Sequence, residues 1–149
     1  MEESIIDIAI GSDHAGFLTK EFVKRTLVEK GYIVHDFGTY SEESMDYPDS
    51  AHPLSKAVQK GYYHYGILIC GSANGMAIVA NKYKGIRAAI CWNDQVTELA
   101  RKHNNANIIA LPARFISMEE AAKLSMLFIT TNFEGGRHVR RVEKIENIL

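Results

Sequence analysis

No stretch of the sequence is apolar for long enough to cross a bilayer as a helix, which excludes a helical membrane span. A formal net charge of −1 leaves no bulk attraction to nucleic acid or to an anionic membrane, so any anion must be held by local groups. Only two cysteines occur, Cys70 and Cys91, each ending an apolar run, a poor pattern for a disulfide framework. The first residues are acidic and pass directly into a strand-like segment, so no secretory signal is expected and the chain reads as cytoplasmic with free thiols. Missing too are the Gly-Lys-Ser/Thr ending of a P-loop and a G-x-G-x-x-G fingerprint, which argues against a nucleoside triphosphate or a dinucleotide. No Cys/His/Asp spacing argues for a bound metal. There is no linker, low-complexity stretch or internal repeat, and 149 residues suit one domain with a full core.

What is present is a regular alternation. Apolar runs at 4–11, 32–37, 65–70, 85–91 and 107–111 have strand length and are rich in β-branched residues. Between them, 17–30, part of 48–60, 76–82, 93–103 and 117–129 carry helical spacing, and 137–149 reads as a last charged helix. In the first of these, Leu18 to Phe22 and Val23 to Leu27 are four apart, and Gly31 ends it as a C-terminal cap. Asn93 caps the fourth helix, and Ser117 with Glu120 forms a capping box for the fifth. Strands that are apolar along their whole length are buried on both faces. The expected fold is therefore α/β, a Rossmann-like three-layer sandwich with a five-stranded parallel sheet.

Such a sheet places its site outside the carboxyl ends of its strands, where the strand order reverses. The stretch "ILICGSANGMAIVANK" (67–82) is the most informative of these ends. Gly71 and Gly75 allow successive backbone N–H groups to turn inward beside a helix start, a cradle for an anion. The loop alone is equally consistent with a plain tight turn. Cys70 changes the reading, because neighbouring donors favour its thiolate and would also stabilise an oxyanion formed beside the sulfur. Base and oxyanion hole together suit proton abstraction alpha to a carbonyl, or acyl transfer; the bland alternative is a small core residue. Cys91 keeps that bland reading, since "WND" offers no comparable loop.

"GSDHAG" (11–16) puts Asp13 and His14 just beyond the first strand, able to move a proton or hold a hydroxyl, or, for Asp13, simply to cap the next helix. His103 and Asn104 end the fourth helix, where a histidine can also just offset the dipole. His35, His52 and His64 lack partners and read as structural or solvated. In "GGRHVRRVEK" (135–144), Arg137 and Arg141 share a helix face suited to a phosphate, or form a solvated face pairing with Glu143 and Glu146. Arg114, after the fifth strand, is a second candidate phosphate ligand.

As a set these residues resemble the type B ribose-5-phosphate isomerases, a family that includes galactose-6-phosphate isomerase subunits. The resemblance runs through "IGSDHAG", "DFGT", "DYP", "GILICGSANGMAIVANK", "GIRAA", "RKHNNAN" and "EGGRHVRRVEKI", in order along nearly the whole chain. It implies a homodimer or homotetramer with active sites at the subunit interface, and no cofactor or metal. It implies interconversion of ribose 5-phosphate and ribulose 5-phosphate through an enediolate, a step of the pentose phosphate pathway. By position, Cys70 resembles the base, Ser72 a relay between the oxygens, and the backbone from Gly71 through Asn74 to Gly75 the enediolate cradle. His103 resembles the ring-opening residue, and Asp13, Tyr47 and Asn104 the hydroxyl contacts. His14, Arg114, Arg137 and Arg141 resemble phosphate ligands, and His138 joins the substrate-binding set. One branch of the family replaces the cysteine with a glutamate just beyond the loop's last glycine; here that position is Met76, which cannot be a base. Ala73, where many members have glycine, should narrow the loop without removing a donor. The same chemistry on galactose 6-phosphate or allose 6-phosphate is the close alternative. A non-catalytic sugar-phosphate-binding or thiol redox-sensing module is the alternative from another class.

Overall fold

The computed structural model describes residues 5–148. Five strands, β1 (Asp7–Ser12), β2 (Ile33–Asp36), β3 (Tyr65–Cys70), β4 (Ala88–Ile90) and β5 (Ile108–Pro112), form one parallel sheet in the order β2-β1-β3-β5-β4. The helices are α1 (Phe17–Glu29), α2 (Pro48–Gln59), α3 (Asn74–Ala80), α4 (Asp94–Lys102), α5 (Met118–Thr130) and α6 (Arg137–Glu143). This is the expected three-layer α/β sandwich.

The two-residue period of β3 sorts its side chains between the layers. Ile67 and Ile69 pack with Val23, Leu27, Ala100 and Phe128 of α1, α4 and α5. Leu68 and Cys70 pack on the other face with Leu54 and Val58 of α2 and with Met76 and Val79 of α3. Burial on both faces is why the central strands read as unbroken apolar runs.

The edges depart from that reading. Ile33 of β2 is 42% exposed and no residue of β2 is fully buried, so it is an edge strand open on one side. β4 is shorter than the run 85–91 because backbone donors there go to side chains: Gly85 N–H to Glu146 Oε1 at 2.7 Å and Arg87 N–H to Asn107 Oδ1 at 2.8 Å. On α1, Val23 and Leu27 are fully buried but Leu18 is 55% exposed. The inward position is filled instead by Lys20, fully buried, with Nζ 2.6 Å from Asp36 Oδ2 and 2.8 Å from Glu21 Oε1.

Caps are as expected where an oxygen can accept. Asn93 Oδ1 accepts from Val96 N–H at 2.9 Å, and Ser117 Oγ from Glu120 N–H at 3.0 Å. The Glu120 carboxylate does not close the box; it lies 4.0 Å from Lys123 Nζ. Gly31 has φ +93°, the conformation a glycine cap requires. α3 begins at Asn74 rather than Met76, and α6 ends at Glu143 rather than running to Leu149, which is outside the described residues, as is Ser4 at the expected start of β1.

β2 lies on one side of β1 and β3 on the other, so the order reverses between β1 and β3. A crevice opens at their carboxyl ends.

Candidate active site

That crevice is a cavity of about 420 Å³, and Asp13, His14, Tyr47, Cys70, Gly71, Ser72, Gly75 and Arg114 all border it, together with Ala15 and Phe115. Residues from four separate chain segments thus meet where the sheet changes direction.

The turn that follows β1 delivers three of them, Asp13, His14 and Ala15. Ser12 and Asp13 continue the sheet, Asp13 N–H donating to Ile69 O at 3.1 Å and Ser12 N–H to Gly38 O at 2.7 Å. Asp13 is largely buried, and its Oδ1 accepts from Gly16 N–H at 3.0 Å. That bond closes the turn ahead of α1 without capping it, since α1 begins at Phe17 and has no side-chain cap, and Asp13 Oδ2 has no protein hydrogen bond among the described residues. His14 Nδ1 accepts from the Met45 N–H at 3.2 Å, which leaves the proton of the neutral ring on Nε2 and makes that nitrogen a donor.

Cys70 closes β3 only 5% exposed, sharing the α2–α3 face with Leu68 yet bordering the cavity. It is a core residue and a cavity residue at once. The loop after it is pinned to the end of β5, Ala113 N–H donating to Cys70 O at 2.9 Å and Arg114 N–H to Gly71 O at 3.0 Å. This lays the Arg114 guanidinium over Gly71, where a Cβ would come within 3.1 Å of it. Ala73 adopts φ +68°, a left-handed conformation that is costly for a residue with a Cβ and natural for glycine. Ser72 is exposed, and its Oγ lies 3.4 Å from Asn74 N. Asn74 itself opens α3 and is exposed, without bordering the cavity.

Tyr47 stands at the start of α2, which Ser50 Oγ fixes to the sheet by donating to Ser12 O at 2.9 Å. A second cavity shares Asp13, His14 and Tyr47 with it and is lined further by Met45, Asp46, Pro48 and Asp49.

The remaining candidates lie elsewhere on the chain. His103, Asn104, His138 and Arg141 line a separate depression of about 310 Å³ with Val142 and Ile145. His103 and His138 stack with ring centroids 4.1 Å apart. Burial pushes the His138 imidazole below its ordinary range, His103, Arg137 and Arg141 acting the same way and Glu134 against them. Arg101, 5% exposed, holds the segment between them, donating to Thr131 O, Asn105 Oδ1, Ala106 O and the Tyr65 hydroxyl. Arg137 is exposed at the first turn of α6 and borders neither depression. None of the α6 arginines makes an ion pair with Glu143 or Glu146 among the described residues; Glu146 accepts from Gly85 instead.

Sequence reasoning missed Phe115 and Glu134. Phe115 follows a candidate ligand at a strand end, but a lone aromatic there carries no signal. Glu134 is four residues before His138, a spacing that becomes informative only once His103 is known to lie beside both. Of the residues read as bystanders, Cys91 is fully buried and burial pushes its thiol up to about 11. His64 accepts from Asp7 N–H at 3.1 Å and His52 bonds the Tyr83 hydroxyl at 2.7 Å, so both are engaged in the scaffold.

The same arrangement of strands occurs in known proteins. A ribose 5-phosphate isomerase from Thermotoga maritima superposes with a TM-score of 0.94 at 50% identity, covering 96% of this chain and 99% of that one. Ribose-5-phosphate isomerase B from Mycoplasma genitalium, solved with bound ribulose-5-phosphate, gives 0.92 at 39% identity, covering 97% of each chain. Ribose-5-phosphate isomerase B of Escherichia coli K12 is 43% identical over 141 residues, 95% of each protein. The family model described as Ribose/Galactose Isomerase matches residues 8–145. With motif, topology and near-complete coverage in agreement, the chain belongs to the ribose/galactose isomerase family.

Proposed function

We propose that the protein interconverts ribose 5-phosphate and ribulose 5-phosphate, with Cys70 as the base. The observation that carries this is the placement of Cys70 on the lining of the crevice, immediately before Gly71, Ser72 and Gly75, which line the same cavity. A thiolate there takes the proton from the carbon next to the carbonyl and returns it to the adjacent carbon. The hydrogen moves as a proton, so the transfer itself calls for no redox cofactor. The charge that develops on oxygen is met by N–H groups of the 71–75 loop, and Ser72 relays protons between the two oxygens. A positioned base contributes roughly 10²–10⁴-fold, and an oxyanion donor a comparable factor.

His14 and Arg114 hold the phosphate, and Asp13 and Tyr47 take sugar hydroxyls. His103, which opens the sugar ring, lies with Asn104, His138 and Arg141 in the other depression. Their separation within one chain supports a site shared between two subunits of a homodimer or homotetramer, in which one copy's second depression faces its partner's crevice. Arg137 and Arg141 then reach the phosphate from the partner copy. Cytoplasmic location follows from the substrate class and the free thiols.

The test is turnover of wild type and Cys70→Ala on ribose 5-phosphate, with galactose 6-phosphate and allose 6-phosphate as competitors. Wild type should prefer the pentose, and Cys70→Ala should lose at least about 100-fold in kcat while keeping its fold and phosphate affinity. Wild-type turnover in that variant would remove Cys70 as the base. Binding of sugar phosphates without interconversion would leave a sensor or binding module, and a preference for a hexose would reassign the substrate within the same chemistry.

A further inference from the structure

Among the described residues one set of metal-ligating side chains converges: His103, Glu134 and His138 offer ligand atoms that all lie within 4.8 Å of one another. No spacing in the linear sequence announces this set; the fold creates it. The two imidazoles stack at 4.1 Å with 14° between their planes, and His138 Nε2 is 3.8 Å from Glu134 Oε2. Glu134 is brought there by its backbone, whose N–H donates to Lys102 O at 3.1 Å, next to His103. Gly135 and Gly136, with φ of +71° and +58°, then turn the chain sharply into α6, and His138 N–H closes on Gly135 O at 3.1 Å. None of the three side chains has a hydrogen-bond partner outside the set among the described residues.

Two imidazoles and one carboxylate are the donors of a three-ligand zinc site with a fourth position open to solvent. Nitrogen donors disfavour Mg²⁺ and Ca²⁺, which take oxygen, and favour the later first-row divalent ions. Tetrahedral bonds of about 2.1 Å put donor atoms roughly 3.4 Å apart, so the widest separation must contract by about 1.4 Å. Side-chain torsions supply that movement, and one ring must also rotate, because stacked imidazoles aim their lone pairs side by side rather than at a common point. Arg137 and Arg141 oppose a dication nearby, and Glu134 offsets them.

We propose that His103, Glu134 and His138 form a binding site for a first-row divalent cation, Zn²⁺ being the best match, and that occupancy withdraws His103 from the substrate. The inhibitory half rests on the isomerase reading; the binding half does not.

The experiment titrates untagged, EDTA-treated full-length protein with Zn²⁺ by calorimetry and follows ribose 5-phosphate turnover in parallel. Wild type should bind one Zn²⁺ per chain and lose turnover as the site fills, with recovery on adding EDTA. Glu134→Gln should turn over like wild type without metal, bind Zn²⁺ at least about tenfold more weakly and resist inhibition to match. His138→Gln should also lose binding, whereas Cys70→Ala should bind like wild type. Equal affinity in Glu134→Gln, loss of binding in Cys70→Ala, or no saturable binding by wild type would overturn the site. Full occupancy with undiminished turnover would overturn the inhibition. Absence of turnover in metal-free wild type would sink the isomerase reading, and the titration would still decide the site.

Discussion

The Tyr47 ring fills the space where a side chain at Gly75 would go: a Cβ there would come within 2.7 Å of Tyr47 Cε2. The starts of α2 and α3 can close over one crevice only because residue 75 has no side chain. In Gly75→Ala the tyrosine must swing away, since the alanine methyl is fixed to the backbone. We expect kcat/KM on ribose 5-phosphate to fall about tenfold or more, an angstrom-scale misplacement of a contact, while the melting temperature moves little because Tyr47 is exposed at the rim. Unchanged kinetics would remove Tyr47 from the substrate contacts.

Arg141 lines the second depression with an exposed guanidinium that has no carboxylate partner among the described residues. In the shared-site reading it holds phosphate equally in ground and transition states. Arg141→Ala should therefore raise KM roughly 10–100-fold, the worth of one charge-assisted hydrogen bond, with kcat little altered. Steady-state kinetics separate the two, and an unchanged KM would return this arginine to a solvated face.

The two thiols should differ sharply toward an alkylating reagent. Cys70 borders the cavity, whereas Cys91 is fully buried and its thiol is pushed up to about 11. Iodoacetamide at pH 8 should modify Cys70 alone, more slowly when ribose 5-phosphate is saturating, and reach Cys91 only in denaturant. Peptide mass spectrometry reads the site; faster labelling of Cys91 would contradict the packing described above.

Asp36 carries an acid-sensitive part of the stability. Burial raises its pKa, but hydrogen bonds from Lys20, the Gly38 N–H and Lys24 outweigh that, and the carboxyl stays below its ordinary range. A folded-state pKa below the unfolded value, about 3.9, contributes stability that is complete above that value. This stability is lost as pH falls below it toward the folded-state pKa. Denaturant melts should therefore weaken below about pH 4. Asp36→Asn should flatten that acid limb and cost about 3 kcal/mol at neutral pH, because Lys20 is fully buried and would lose its carboxylate partner. A variant as stable as wild type would show that Glu21 alone suffices for Lys20.

The sequence by itself determined the layered parallel sheet, because strands buried on both faces must be apolar throughout, and β3 falls on its apolar run while α2 lies within the expected 48–60. It also determined the crevice: strand ends carrying Asp13, His14 and the loop from Cys70 to Gly75 must gather where the strand order turns. It could not show that the edge strands are open on one side or that Lys20 occupies a core position. Those depend on neighbours supplied by distant segments, Asp36 for the lysine and solvent for Ile33. Only the tertiary structure separated the candidate residues into two depressions and set Glu134 beside His103 and His138. Such distances are fixed by packing and by backbone bonds between segments far apart in the chain, and no local periodicity encodes them.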